Sequence, residues 1–173
     1  NNTVTQNVGK VGSAAQFTAA NSESLSIADN SSVHLGDIDY TFAGWFYLDS
    51  QTADRPIVGK DGSGQRDVLV YVTSTKLTAA VFDNLGAAIS AVHPTVLSNA
   101  IWYFFTYQYT ATTRVPAVSL NGGAFTSGSA LAAPHNAGIA ALRLGGRDYV
   151  DIWMDGRIDQ VGFWKRLLTA AEI

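Results

Sequence analysis

The sequence contains no cysteine, which excludes disulfide bonds, thiolate catalysis and cysteine-based zinc sites. It also lacks long hydrophobic runs, because Gly, Asp, Ser and Asn interrupt every apolar stretch. None of these stretches approaches the roughly 20 residues that a membrane-spanning helix requires. We therefore predict no insertion into a membrane.

Positive charge is also scarce. The chain has 11 Lys and Arg against 14 Asp and Glu, which gives a net charge of −3. Its basic residues are scattered singly apart from the pair Lys165–Arg166. A nucleic-acid-binding protein needs a concentrated basic surface, so the sequence does not predict a nucleic-acid partner.

Glutamate is almost missing, since Glu23 and Glu172 are the only glutamates and the other acidic residues are aspartates. Glycosidases use two facing carboxyl groups roughly 5 to 9.5 Å apart. The two glutamates lie near opposite ends of the sequence, and the pair Asp151 and Asp155 falls in a glycine-flanked loop. This distribution predicts a non-catalytic protein, with a truncated glycoside hydrolase as the least favoured alternative.

Helical periodicity is almost absent, and short β-strand patterns take its place. "YTFAGWFYLD" and "WYFFTYQY" are apolar on both faces, and "NGG" is a hairpin signal. Such strands recur with turn residues between them every 8–12 residues or so, which favours an all-β, antiparallel, two-sheet β-sandwich. Because these two strands are apolar on both faces, we predict core positions for the aromatic residues Trp45, Trp102, Phe104 and Phe105.

The length is that of one ordinary domain. Residues 1–12 are polar and predict a linker-like N-terminal segment or remnant, and residues 13–173 predict a single sandwich domain. Near the end, Thr169 and Glu172 have the spacing of a capping box, which predicts the start of a helix. We expect the chain to be a domain excised from a larger modular protein.

Several motifs follow one another in an order that resembles a known family. They are "VGKVGSAAQFTAANSESLSI", "YTFAGWFYL", "WYFFTYQY", "VSLNGG", "LRLGG" and "MDGRIDQVGFWKRLLTAAEI". This series is similar to the laminin-G-like domains of the concanavalin A-like lectin and glucanase superfamily, found in bacterial and phage surface proteins. The resemblance implies a jelly-roll fold over Gly9 to Ile173. It also implies an extracellular or surface-exposed location, on a secreted bacterial protein or a virion.

Calcium is the cofactor that the resemblance implies, since turn aspartates supply the hard oxygen ligands that this ion prefers. One expected site joins Asp159 to the N-terminal loop that contains Asn21. A second, at the rim of the sandwich, joins Asp67 to Asp148 or Asp151. The alternative is that these aspartates only hydrogen-bond neighbouring turns or face solvent.

Candidate ligand contacts concentrate in the loop "GGRDYVDIW". A sugar ring has an apolar face and a polar edge, so it suits an aromatic ring beside polar side chains. Arg147, Tyr149 and Trp153 form such a group, and Arg66 in "DGSGQRD" is a further candidate. The alternative for Trp153 is packing over an edge of the sandwich.

These observations predict a non-catalytic recognition module that binds carbohydrate. Its partners would be a glycan or a surface protein, together with other domains of the parent chain. The alternative is a protein-interaction or structural spacer module of an adhesin or a phage structural protein.

Overall fold

The computed structural model describes residues 3–173, which form thirteen β-strands and one short 3₁₀ turn, Ala19–Asn21. In chain order the strands are β1 (Thr5–Val8), β2 (Ser13–Phe17), β3 (Leu25–Ile27), β4 (Tyr40–Leu48), β5 (Arg55–Gly62), β6 (Gln65–Thr73), β7 (Lys76–Phe82), β8 (Ala88–Val92), β9 (Trp102–Thr110), β10 (Val115–Leu120), β11 (Thr126–Ser127), β12 (Leu142–Leu144) and β13 (Gly156–Trp164). Within residues 3–173, no helical segment has the length and apolar character needed to cross a membrane.

Two antiparallel sheets make up the sandwich that the strand pattern predicted. The seven-stranded sheet has the order β1-β2-β13-β4-β9-β10-β11, and the six-stranded sheet has the order β3-β12-β5-β6-β7-β8. The all-β prediction is confirmed. Neighbours in each sheet are often distant in sequence, as in a jelly roll.

The core lies between the sheets and is filled by alternate residues of each strand. In β4, Phe42, Phe46 and Leu48 point inward and are fully buried, and Phe105 in β9 is buried beside them. Burial of each such side chain stabilises the fold by about 1.5–3 kcal/mol. The core prediction for Phe105 is therefore confirmed.

The same prediction is wrong for Trp45, Trp102 and Phe104. They are half-buried and lie on the outer face of the seven-stranded sheet, in the opposite phase to the core residues. An apolar pattern on both faces of a strand shows only that both faces have neighbours. Here the outer neighbours include Lys10, Asn121 and Ile173, which border a depression.

The N-terminal segment differs from the expected linker. Thr5–Val8 form edge strand β1, which pairs with β2 in the register Thr5 to Gln16 through Val8 to Ser13. All four β1 side chains, the apolar Val8 included, are exposed, as expected for a strand at the edge of a sheet. Residues 1 and 2 lie outside the described part of the chain.

The segment after β13 lies across the outer face of the seven-stranded sheet. Thr41 Oγ1 donates a hydrogen bond to the Arg166 carbonyl (2.8 Å), and Gln108 Nε2 donates one to the Leu168 carbonyl (2.8 Å). The capping-box bond from Thr169 N to Glu172 Oε2 is present at 2.9 Å. Residues 170–172 nevertheless form an isolated turn, so the predicted helix does not begin within the chain.

Candidate functional site

A buried carboxylate on β5 holds two arginines. Asp61 is 1% exposed, and its Oδ1 accepts a hydrogen bond from Arg66 Nε at 2.6 Å. Its Oδ2 accepts bonds from Arg66 Nη2 and Arg147 Nη1, both at 3.1 Å. Charge-assisted bonds of this kind fix the planes of both guanidinium groups.

The backbone explains how these three side chains meet. In the β5–β6 hairpin, Asp61 pairs directly with Arg66. Arg147 arrives from the β12–β13 loop, which lies close against Gly59 in β5. A Cβ at Gly59 would be 2.8 Å from the Gly146 carbonyl oxygen, so only glycine allows this approach.

Tyr149 completes the group, which we call the guanidinium cluster: Asp61, Arg66, Arg147 and Tyr149. The Arg66 guanidinium carbon lies 4.2 Å from the Tyr149 ring centroid and 3.8 Å from that of Phe82, so its plane is held between two rings. Tyr149 is 44% exposed. The cluster therefore offers one accessible aromatic ring beside two oriented cations.

Some guanidinium donors of the cluster have no protein partner in the described residues 3–173. The hydrogen bonds of Arg66 and Arg147 leave Arg66 Nη1 and Arg147 Nη2 unbonded, and Arg147 Nε is buried without a partner. Beside the cluster is a depression of about 150 Å³. Its lining includes Arg66, the exposed Asn84, and Asn136, whose amide donates to the Arg66 carbonyl at 2.9 Å.

Three of the four predicted ligand residues therefore lie in one cluster. Arg66, Arg147 and Tyr149 lie together, whereas Trp153 lies outside their hydrogen-bond network. A Cβ on Gly146 would be 2.6 Å from the Trp153 ring, which shows that this ring packs against the loop backbone. Its carbonyl also accepts a bond from Arg55 at 3.2 Å.

The first predicted calcium pair is engaged in separate hydrogen bonds. Asp159 is 5% exposed, and its Oδ2 accepts a bond from Val11 N at 2.9 Å, which anchors the β1–β2 turn. The Asn21 amide donates to Glu23 Oε1 at 3.0 Å. Each side chain therefore has a structural function that needs no metal.

In the second predicted calcium site, at the rim of the sandwich, Asp67 and Asp148 form ion pairs with basic side chains. Asp67 is fully buried, lies 3.2 Å from Lys60 Nζ and accepts a bond from Gly138 N at 2.6 Å. Asp148 lies 2.6 Å from Arg143 Nε.

Asp151 is exposed. Across residues 3–173, no three Asp, Glu or His side chains are grouped so that they could hold a metal ion. A calcium site formed with backbone carbonyls and water at these positions stays a prediction.

The two glutamates have unrelated surroundings. Glu23 accepts hydrogen bonds from Thr3 Oγ1 (2.5 Å) and Thr18 N (2.6 Å). Burial opposes its ionisation, but these bonds and one from Asn21 lower the pKa of Glu23. Glu172 instead pairs with Arg166 at 2.7 Å on the C-terminal segment.

A second concave surface, which sequence reasoning missed, lies on the outer face of the seven-stranded sheet. This aromatic depression has a volume of about 600 Å³ and is lined by Lys10, Trp45, Trp102, Phe104, Asn121, Gly122 and Ile173. The signal that could have found it is the shared phase of Trp45 in β4 and Phe104 in β9, which are register partners. Because β4 and β9 are apolar on both faces, the sequence did not show which of these aromatic residues point outward.

Comparison with known proteins identifies the fold family. Residues 18–173 match the family described as the concanavalin A-like lectin/glucanases superfamily. The chain belongs to this superfamily. A search of curated protein sequences found no match.

Solved structures resemble this superfamily member closely in fold and distantly in sequence. The binding domain of Paraclostridial Mosquitocidal Protein 1 has a TM-score of 0.81 and 15% identity, and the match covers 99% of this chain and 44% of that one. The present chain thus spans less than half of that structure.

Two further similar structures are domains of glycan-processing enzymes. Domain 4 of AbnA, a GH43 extracellular arabinanase from Geobacillus stearothermophilus solved with arabinotriose, has a TM-score of 0.74 and 16% identity, covering 99% of this chain and 80% of that one. The CBM40 of the Ruminococcus gnavus IT-sialidase has a TM-score of 0.64 and 13% identity, covering 87% and 96%. At these identities the likeness concerns the fold.

Proposed function

We propose that this chain is a non-catalytic carbohydrate-binding module and that the guanidinium cluster is its glycan site. The observation that carries the proposal is the fixed pair of guanidinium groups on Asp61, beside the exposed ring of Tyr149. Two similar structures support it, because one was solved with arabinotriose and another with α2,3-sialyllactose.

The physical argument concerns preorganisation. A sugar presents many hydroxyl groups and one apolar ring face, so it is recognised by directional donors next to an aromatic ring. Long arginine side chains normally lose conformational freedom on binding, which weakens affinity. Asp61 has already restricted Arg66 and Arg147, so a ligand binds donors whose orientation is set in advance.

The chemistry of the cluster favours binding over bond cleavage. Asp61 is its one carboxylate, and both of its oxygens accept hydrogen bonds from guanidinium groups. A glycosidase needs one carboxyl group that gives up a proton and a second that attacks or activates water. The single carboxylate of the cluster cannot serve both purposes.

The proposal includes the setting of the module. A glycan-binding domain that resembles part of an extracellular arabinanase belongs outside the cell, attached to the other domains of a parent chain. Its partner is then a glycan on a surface or in a polymer.

Replacing Tyr149 by alanine is expected to weaken glycan binding at least tenfold, equivalent to about 1.4 kcal/mol. The exposed ring supplies the stacking surface, and its loss also leaves one side of the Arg66 guanidinium uncovered. A glycan microarray that includes arabinotriose and α2,3-sialyllactose would identify ligands, and titration calorimetry would measure affinity for the strongest of them.

The matched control is Trp164→Ala, which removes another partly exposed aromatic ring, located on β13 outside the cluster. This variant should bind as the wild type does. Equal weakening by both substitutions, or undiminished binding by Tyr149→Ala at an unchanged melting temperature, would show that the cluster is not the glycan site.

A further inference from the structure

The aromatic depression lies on the sheet opposite the guanidinium cluster and is built from cross-strand ring pairs. Trp45 and Phe104 are register partners with ring centroids 5.1 Å apart, and Tyr47 and Trp102 are register partners at 5.4 Å. All four rings are half-buried. Tyr47 lies outside the lining, and the Arg157 guanidinium carbon covers its ring at 4.3 Å from the centroid. Adjacent β4 and β9 therefore display an aromatic floor of three rings, those of Trp45, Trp102 and Phe104.

Polar donors border this floor. Lys10 Nζ lies 4.8 Å from the Trp45 ring centroid and forms no ion pair within residues 3–173. The exposed Asn121 accepts a bond from Phe104 N at 2.9 Å through Oδ1, which leaves its side-chain NH₂ unbonded in the described structure. The side chains of the described lining residues include this one ammonium group and no carboxylate.

We propose that the aromatic depression is a second carbohydrate site, specific for a glycan that carries carboxylate groups. The rings accept the apolar face of a sugar, Asn121 bonds its hydroxyl groups, and Lys10 pairs with a uronic acid carboxylate. Charge complementarity selects the acidic glycan, since a lone ammonium group without a protein counter-ion attracts an anion.

The shape of the surface agrees with this occupant. A concave volume of about 600 Å³ falls within the range of small-ligand sites, roughly 300–1,000 Å³. A stable protein partner would need about 800 Å² on each side, far more than seven lining residues supply. The site is on a different sheet from the guanidinium cluster, so the two proposals do not depend on each other.

Intrinsic tryptophan fluorescence tests the inference, because Trp45 and Trp102 line the depression. Titration with hexagalacturonate is expected to give a saturable change, and the uncharged cellohexaose is expected to bind at least tenfold more weakly. Trp102→Leu should weaken hexagalacturonate binding at least tenfold. Lys10→Gln should weaken it severalfold and reduce its salt dependence.

Trp164→Phe serves as the control, since Trp164 lies outside the lining and its loss should leave the affinity unchanged. Lys10 is exposed, so the Lys10→Gln variant should fold normally if Trp102→Leu does not. A response that survives Trp102→Leu arises elsewhere and overturns the inference. Equal affinity for cellohexaose, or a Lys10→Gln variant that binds as the wild type does, overturns the assignment of an acidic ligand.

Two results separate this inference from the proposed function. The guanidinium cluster contains no tryptophan and is tested by Tyr149→Ala. If that test shows that the cluster does not bind glycan, the results for Trp102→Leu and Lys10→Gln are unaffected.

Sedimentation velocity tests whether a second copy of the chain, and not a glycan, occupies the aromatic depression. A dimer that Lys10→Gln or Trp102→Leu dissociates would show that a second copy of the chain covers the depression, and would overturn the glycan assignment.

Discussion

Replacing Lys60 by methionine is expected to lower the free energy of unfolding by about 3–5 kcal/mol at pH 7. Lys60 is fully buried, and its Nζ lies 2.8 Å from Asp29 Oδ1 and 3.2 Å from Asp67 Oδ2. Methionine fills similar volume but removes the cation. The carboxylates of Asp29 and Asp67 then lose their shared cation, although Asp67, which has no exposed side-chain surface, keeps the hydrogen bond from Gly138 N.

This loss should depend on pH with a defined sign. Burial raises the pKa of Asp67 to about 6, above its ordinary value, so folding favours the protonated form. The stability that this group contributes is present at low pH and is lost as the pH rises through about 6. Without Lys60 the charged form is penalised further. The deficit of Lys60→Met should therefore be largest above pH 6 and shrink below it.

Urea unfolding at pH 7.5, 6 and 5 measures both effects. The control is Lys76→Met, the same substitution at a half-exposed lysine on β7 of the same sheet, with an expected change of about 0.5 kcal/mol or less. Similar losses at the two lysines, or a Lys60→Met deficit that does not change with pH, would contradict the buried ion-pair interpretation.

Gly156→Ala is expected to destabilise the fold by about 4 kcal/mol through steric conflict and backbone strain together. Gly156 opens β13 with φ at +148°, and a Cβ there would lie 2.0 Å from the Tyr47 carbonyl oxygen. That oxygen belongs to the backbone of β4, which cannot move without disturbing the β4–β13 pairing. The loss should appear as a lower urea midpoint.

Gly64→Ala separates the two causes. Gly64 also has positive φ, +67°, but a Cβ there would meet nothing within 4 Å. Its expected cost is the conformational strain alone, about 1 kcal/mol. Equal losses for Gly156→Ala and Gly64→Ala would show that the close approach of β13 to β4 contributes nothing, and would contradict the prediction.

Local patterns in the sequence determined the class of fold and much of the core. Alternation with period two placed Phe42, Phe46 and Leu48 on one face of β4, which is the face that the structure buries in the core. The linking of Arg66, Arg147 and Tyr149 as ligand candidates also came from sequence, since polar loops with aromatic and basic residues are identifiable locally. Their convergence is what the structure added.

Partners distant in the chain could be found only in three dimensions. Asp61 binds Arg147 across 86 positions, and nothing near "GKDGSG" marks this carboxylate as buried. Lys60 is likewise an ordinary surface residue by pattern. Its burial depends on Asp29 and Asp67, which arrive from a loop and a neighbouring strand.

The sequence also did not determine which face of a strand packs against the core when both of its faces are apolar. In β4 and β9 both phases are aromatic, so alternation could not tell the core side from the side that displays Trp45 and Trp102. Strand periodicity and turns are local properties, so sequence alone indicated the antiparallel two-sheet sandwich, and the family resemblance implied the jelly roll. The tertiary structure decided which charges are buried and which rings are displayed, because both depend on long-range strand pairing.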